Sequence, residues 1–161
     1  MAKSVFYSFH YDRDNWRVQQ VINMGVLENQ PLLNAQDWES VKRQGDLAIQ
    51  KWIDEQMAYK RAVVVLVGAQ TASRPWVDHE IRKAWADKRP LVGVRIHRLA
   101  DRNGNTDTWG ADPFANIQMR GGGTMADYVT VHNPAGADSR SVHASIRANL
   151  ETWVDGAYRP T

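Results

Sequence analysis

The stretch with the most chemical potential is Ser73-Arg-Pro-Trp76-Val-Asp-His-Glu80-Ile81. It follows a continuous apolar run, Val63 to Val67, that stops at Gly68. An apolar strand, a short polar turn and a helix opening at Pro75 make half of a parallel α/β unit. Pro75 suits a first helical position because the N–H it lacks has no intrahelical partner there. Ser73 or Thr71 can cap just upstream. Val77, Ile81, Ala84 and Trp85 recur at helical spacing and form the stripe that faces a core. Glu80 lies about 100° around the helix from Ile81, at the edge of that stripe, and Trp76 lies one turn before it. A carboxylate and an aromatic ring therefore flank the carboxyl end of the strand, the edge where open parallel sheets bind ligands. Spacing alone leaves two readings of Glu80. One is a solvated helix glutamate beside a half-buried tryptophan, which is the commoner case; the other is a carboxylate in a pocket.

Other chemistries leave weaker traces. The five histidines, His10, His79, His97, His132 and His143, include no pair at metal-ligand spacing, and cysteine is absent, so no metal site is expected. No Gly-x-Ser-x-Gly elbow and no Gly-x-Gly-x-x-Gly after the first strand occur, which argues against a serine hydrolase and a Rossmann dehydrogenase. Gly121-Gly122-Gly123 lacks the Gly-Lys-Ser/Thr ending of a phosphate loop. Asp12 and Asp14 follow the first strand, as in Mg²⁺-dependent receiver domains. A receiver also needs an aspartate closing the central strand, where this chain has Val67-Gly68. The simpler reading is a helix cap at Asp14 and a solvated charge at Asp12.

The elements that must position these residues read as a single domain over 1–161. Hydrophobic residues are 43% and charged residues 24%, both ordinary for a globular chain. The formal charge of +2 comes without a dense basic block, so no nucleic-acid partner is expected. No apolar run approaches the ~20 residues that span a bilayer, so no membrane is expected. The amino terminus shows no signal-peptide core, which points to the cytoplasm. Residues 4–9, 63–67, 91–96 and 128–131 read as strands, with a further short strand at Val26-Leu27 or Leu32-Leu33. One helix, capped by Asp14, carries Trp16, Val18, Val21 and Ile22. A second, capped by Asp46, carries Ile49, Trp52, Ile53 and Met57, and the third opens at Pro75. The last carries Val142, Ile146, Leu150 and Trp153 and stops at Gly156. Residues 23–45 and 97–125 are loop-like. About five strands alternating with about four helices predict a three-layer α/β, flavodoxin-like fold: a parallel sheet with helices on both faces.

Two stretches resemble a known family. Val5-Phe6-Tyr7-Ser8-Phe9-His10-Tyr11-Asp12 resembles the opening strand and loop of TIR domains. The Ser73-to-Ile81 stretch resembles their Ser-x-x-Trp-x-x-x-Glu-Leu segment, in the same order along the chain. The closer resemblance is to the TIR-like component of Thoeris anti-phage defence systems, over most of the chain to about Phe114. Trp38-Glu39, Gly68-Ala-Gln-Thr71 and Asp112-Pro113-Phe114 add to it. This resemblance implies a TIR-like sheet and an enzyme that cleaves nicotinamide from NAD⁺ and closes the remainder into a cyclic ADP-ribose isomer. That product would be a second messenger for a separate effector. NAD⁺ is then the substrate and no cofactor is needed. Glu80 takes the place of the catalytic glutamate, and Ser8, Phe9, His10, Asp12, Ser73 and Trp76 would line the pocket. A phage-derived trigger and a homo-oligomer are also implied. Two features depart from the wider TIR pattern. His10-Tyr11 replaces the Arg-Gly of plant members, and the Gly-rich loop with its proline after the second strand is missing, with Gln30-Pro31 or the 23–45 stretch in its place. A non-catalytic TIR interaction module is the alternative, and a flavodoxin-like nucleotide binder a third reading.

Overall fold

A computed structural model of the chain describes residues 4–29, 40–58 and 60–161. Its centre is β3 (Ala62–Val67), every residue of which is buried. β3 pairs in parallel with β1 (Ser4–Ser8) on one side and with β4 (Leu91–Arg95) on the other. The short strands β2 (Glu28–Asn29) and β5 (Val131–His132) close the edges, giving the all-parallel order β2-β1-β3-β4-β5. A strand with neighbours on both sides and helices on both faces has no polar position to fill, which is why β3 reads as an unbroken aliphatic run.

Successive side chains of a strand point to opposite faces. Val64 and Leu66 join Val18 and Val21 of α1 (Tyr11–Asn23) and Val142 and Ile146 of α4 (Ser139–Asp155). Val63, Val65 and Val67 join Ile49 and Ile53 of α2 (Asp46–Met57) and Val77, Ile81 and Ala84 of α3 (Pro75–Ala86). These are the three layers that the alternation of elements predicts. Burying each of the valine, leucine and isoleucine side chains contributes roughly 1.5–3 kcal/mol before chain entropy is counted. Among the described residues no helix is long and apolar enough to cross a membrane.

Several boundaries differ from the sequence-based expectation. β1 ends at Ser8, one residue early, because the chain turns into α1 at Tyr11. The cap of α1 is His10, whose Nδ1 accepts from the Arg13 N–H at 3.4 Å. Asp14 lies inside the helix and is fully buried. Gly45, with φ of 96°, occupies the position before α2, and Asp46 is the first helical residue. β2 lies just beyond Val26-Leu27, whereas Leu32-Leu33, Gln30-Pro31 and Trp38-Glu39 fall outside the described residues. β5 starts at Val131, not Tyr128. A reciprocal pair of hydrogen bonds between Thr124 and Asp127 starts a 3₁₀ turn at Met125–Asp127, and Tyr128 closes it. That local capping outweighs the β propensity of 128–131.

Candidate active site at the carboxyl edge of the sheet

The carboxyl ends of β1 and β3 and the first turns of α3 meet at one place. Ser8 stands opposite Val65 in the register. By alternation its side chain shares a face with Phe6, toward α3. There its Oγ donates to Glu80 Oε1 at 2.8 Å. Ser8 is 0% exposed and Glu80 7%. The helical spacing places Glu80 at the edge of the apolar stripe, and the end of β1 covers that edge. The carboxyl therefore belongs to the interior, not to the solvated face.

Burial makes the charged form of Glu80 costly and pushes the carboxyl up to about 8, an effect that the Ser8 hydrogen bond partly offsets. At neutral pH this carboxyl is thus mainly protonated. His10, 8% exposed, follows two residues beyond Ser8. Desolvation, then the charge of Arg74, lowers its basicity. Because Nδ1 accepts a hydrogen bond, the neutral ring carries its proton on Nε2 as a donor. Trp76 is half-buried against the α2–α3 core, with its ring edge-on to His79 at 5.4 Å.

The remaining residues that the sequence singles out are not buried with Glu80. Phe9 points to the other side of the sheet, where it packs on the α1–α4 core and stacks with Tyr11 at 6.0 Å. Asp12 is exposed in the first turn of α1. Ser73 is exposed, and its Oγ donates to the Gln70 carbonyl at 2.9 Å. Neither Ser73 nor Thr71 caps α3. Arg74 occupies the cap position, and Thr71 Oγ1 instead accepts from the Gly68 N–H at 2.7 Å. The structure thus joins Ser8 to Glu80, sets Trp76 one turn earlier on the same helix and His10 just after β1, and turns Phe9 to the opposite face; Asp12 and Ser73 are exposed on the segments that follow β1 and β3.

Two polar clusters beside this edge were not singled out by the sequence. The first ties α1 to the loop after β4. Asp14 accepts from Arg17 Nη1 at 3.2 Å, Arg17 Nε donates to the Leu99 carbonyl at 2.8 Å, and Nη2 to the Asn105 carbonyl at 3.0 Å. Arg13 grips Asp107 through two bonds, 2.7 and 3.0 Å. Burial raises the Asp14 carboxyl to about 6. A Cβ on Gly68 would run into that carboxylate, so only glycine fits at the end of β3. In the second cluster the Arg95 guanidinium lies 3.4 Å from the centre of the Trp109 ring and donates to the Gly110 carbonyl at 2.7 Å. Gly110 in turn abuts the Gly68 and Ala69 carbonyls. The signal that could have found this cluster is Arg95 itself, since a lone cation in a buried strand requires a partner.

The sequence profile described as Thoeris protein ThsB, TIR-like domain, matches residues 6–101, from β1 to just past β4. The chain belongs to this family. A relative from Bacillus cereus (strain MSX-D12), named "Putative cyclic ADP-D-ribose synthase ThsB1", is 36% identical over 119 residues. The aligned region covers 71% of this chain and 62% of that relative's length. The parallel α/β sheet is accordingly the TIR-like fold that the two sequence stretches resemble. Both partners of the Ser8–Glu80 bond lie within the matched ThsB span, as do His10 and Trp76. Trp109, β5 and α4 lie beyond it.

Proposed function

We propose that this protein cleaves the nicotinamide–ribose bond of NAD⁺ and closes the resulting ADP-ribose on itself, with Glu80 as the catalytic carboxylate. The observation that carries the reading is the buried Ser8–Glu80 pair at the carboxyl edge of β1 and β3. Membership of the ThsB TIR-like family and the synthase name borne by the B. cereus relative support it.

The chemistry suits these groups. The C1–N bond breaks with its electron pair moving to nicotinamide, which leaves as a neutral molecule and needs no general acid. The ribose passes through an oxocarbenium-like state, as in glycoside cleavage. A carboxylate aimed at that ribose stabilises the developing positive charge most effectively where water is excluded. A hydroxyl oxygen or ring nitrogen of the same ADP-ribose then attacks C1, forming the new bond; an attacking hydroxyl gives up its proton to solvent. A dry site favours this closure over hydrolysis. Trp76 supplies an aromatic wall and His10 Nε2–H a neutral donor. The cyclic product acts in the cytoplasm as a second messenger in anti-phage defence, made on a phage-derived cue and read by a separate effector.

The test is mass spectrometry of small molecules from cells expressing the protein or Glu80→Gln, with and without phage challenge. A new ion at the mass of cyclic ADP-ribose that requires Glu80 is the expected result. Undiminished NAD⁺ and no such ion, with folded protein under every challenge, would favour a non-catalytic interaction module.

A further inference from the structure

A carboxyl buried in a protein is normally matched by a cation or by several hydrogen-bond donors. Glu80 has neither. Ser8 Oγ is its donor, and among the described residues burial and that hydroxyl are what set its proton affinity. The charged or titratable groups on the flanking segments, His10 and Asp12 after β1 and Arg74 and His79 at the start of α3, leave it unaltered. The facing strand β3 is wholly apolar. Other buried charges near this edge are matched: Asp14 by Arg17, and Arg95 by Trp109 and the Gly110 carbonyl.

We propose that the counter-charge of Glu80 is the pyridinium cation of the substrate itself, and that Ser8 is the positioning residue that holds the carboxylate for it. This rests on the NAD⁺ reading above and deepens it. With Ser8 as its donor the carboxyl keeps its proton at neutral pH. Entry of a cationic nicotinamide ring beside it favours the ionised form, and the proton leaves to solvent. At pH 7 ionising the carboxyl is opposed only about tenfold, a small factor against the attraction of two unit charges out of water. The site therefore assembles its catalytic charge when a pyridinium nucleotide is present. NADH, whose dihydronicotinamide ring is uncharged, draws no proton and is discriminated against. Ser8 is fully buried, so it acts through Glu80 and does not touch the substrate.

Calorimetric titration of the full chain with a carbocyclic NAD⁺ analogue, whose pyridinium cannot leave, tests this. Run at pH 7 in two buffers of different ionisation enthalpy, it is expected to show about 0.9 proton released per analogue bound. Glu80→Gln, checked for folding by circular dichroism, is expected to bind with no release, and NADH to release none with either protein. In Ser8→Ala the pH midpoint of analogue affinity is expected to move to about tenfold lower proton concentration, and Ser8→Thr to restore it. A merely structural role for Ser8 would lower affinity equally at every pH. Analogue binding without proton release, or no binding, overturns the proposal. Loss of NAD⁺ turnover in Glu80→Gln without any proton release refutes this inference alone. Proton release in a protein that never consumes NAD⁺ refutes the cyclase reading alone.

Discussion

Replacing Glu80 by glutamine should make the protein more stable, by an amount that grows with pH. Folding raises this carboxyl from 4.5 to about 8 through burial. Between those values the unfolded chain has lost the proton while the folded protein keeps it. The contribution of Glu80 to stability therefore falls as pH rises through the window, is most favourable below about 4.5, and levels off above about 8. Glutamine keeps the size of the side chain and an oxygen for the Ser8 hydroxyl, but it does not titrate. At 1.36 kcal/mol per tenfold change in proton affinity, the difference between the two proteins should reach roughly 3–5 kcal/mol at pH 8, and relaxation of the site would lower it. For a chain of this size that corresponds to about 10 °C in melting temperature. Thermal unfolding of both proteins by circular dichroism from pH 4.5 to 9 measures the difference, and the other titrating groups cancel. A gap that does not change with pH would show that the folded carboxyl titrates normally, and the argument from burial would fail.

Three further outcomes follow from the same geometry. Ser8→Ala should move the acid limb of kcat/KM to higher pH and lower the rate at pH 7 by about tenfold, since a hydrogen bond to a charged group contributes about 1.5 kcal/mol; an unshifted limb would show that the hydroxyl does not stabilise the ionised form. Gly68→Ala should destabilise the fold by about 1–3 kcal/mol in urea unfolding, because the new methyl meets the buried Asp14 carboxylate. Arg17→Met should cost about 3–5 kcal/mol by leaving Asp14 buried and unpaired, and adding Asp14→Asn should recover part of the loss; urea unfolding of the double variant decides this.

The sequence made the frame of this site legible and left its interior unread. β3 stood out because a strand buried on both faces is apolar throughout. The start of α3 was visible because Pro75 can occupy only a first helical turn. The burial of Glu80 was not legible, since helical periodicity fixes an angle on one helix and says nothing of the strand that covers it. Ser8 and Phe9 were expected to line one pocket, yet adjacent strand residues point to opposite faces, and the structure divides them accordingly. Asp14 carried every local mark of a helix cap. Its burial depends on a missing side chain at Gly68 and on Arg17, which are respectively distant in sequence and silent in pattern. The β-branched run ending at Val131 suggested a longer strand, and the Thr124–Asp127 cap stops it from forming.

In the proposed reaction the buried carboxyl of Glu80 carries out NAD⁺ cleavage and ring closure. The most direct test is incubation of the purified protein with NAD⁺, with nicotinamide and the ADP-ribose products separated by liquid chromatography and mass spectrometry, beside Glu80→Gln of equal fold. The account predicts nicotinamide and a cyclic ADP-ribose isomer in equal amounts from the unaltered protein, and neither from the variant. Equal product from both proteins would contradict it.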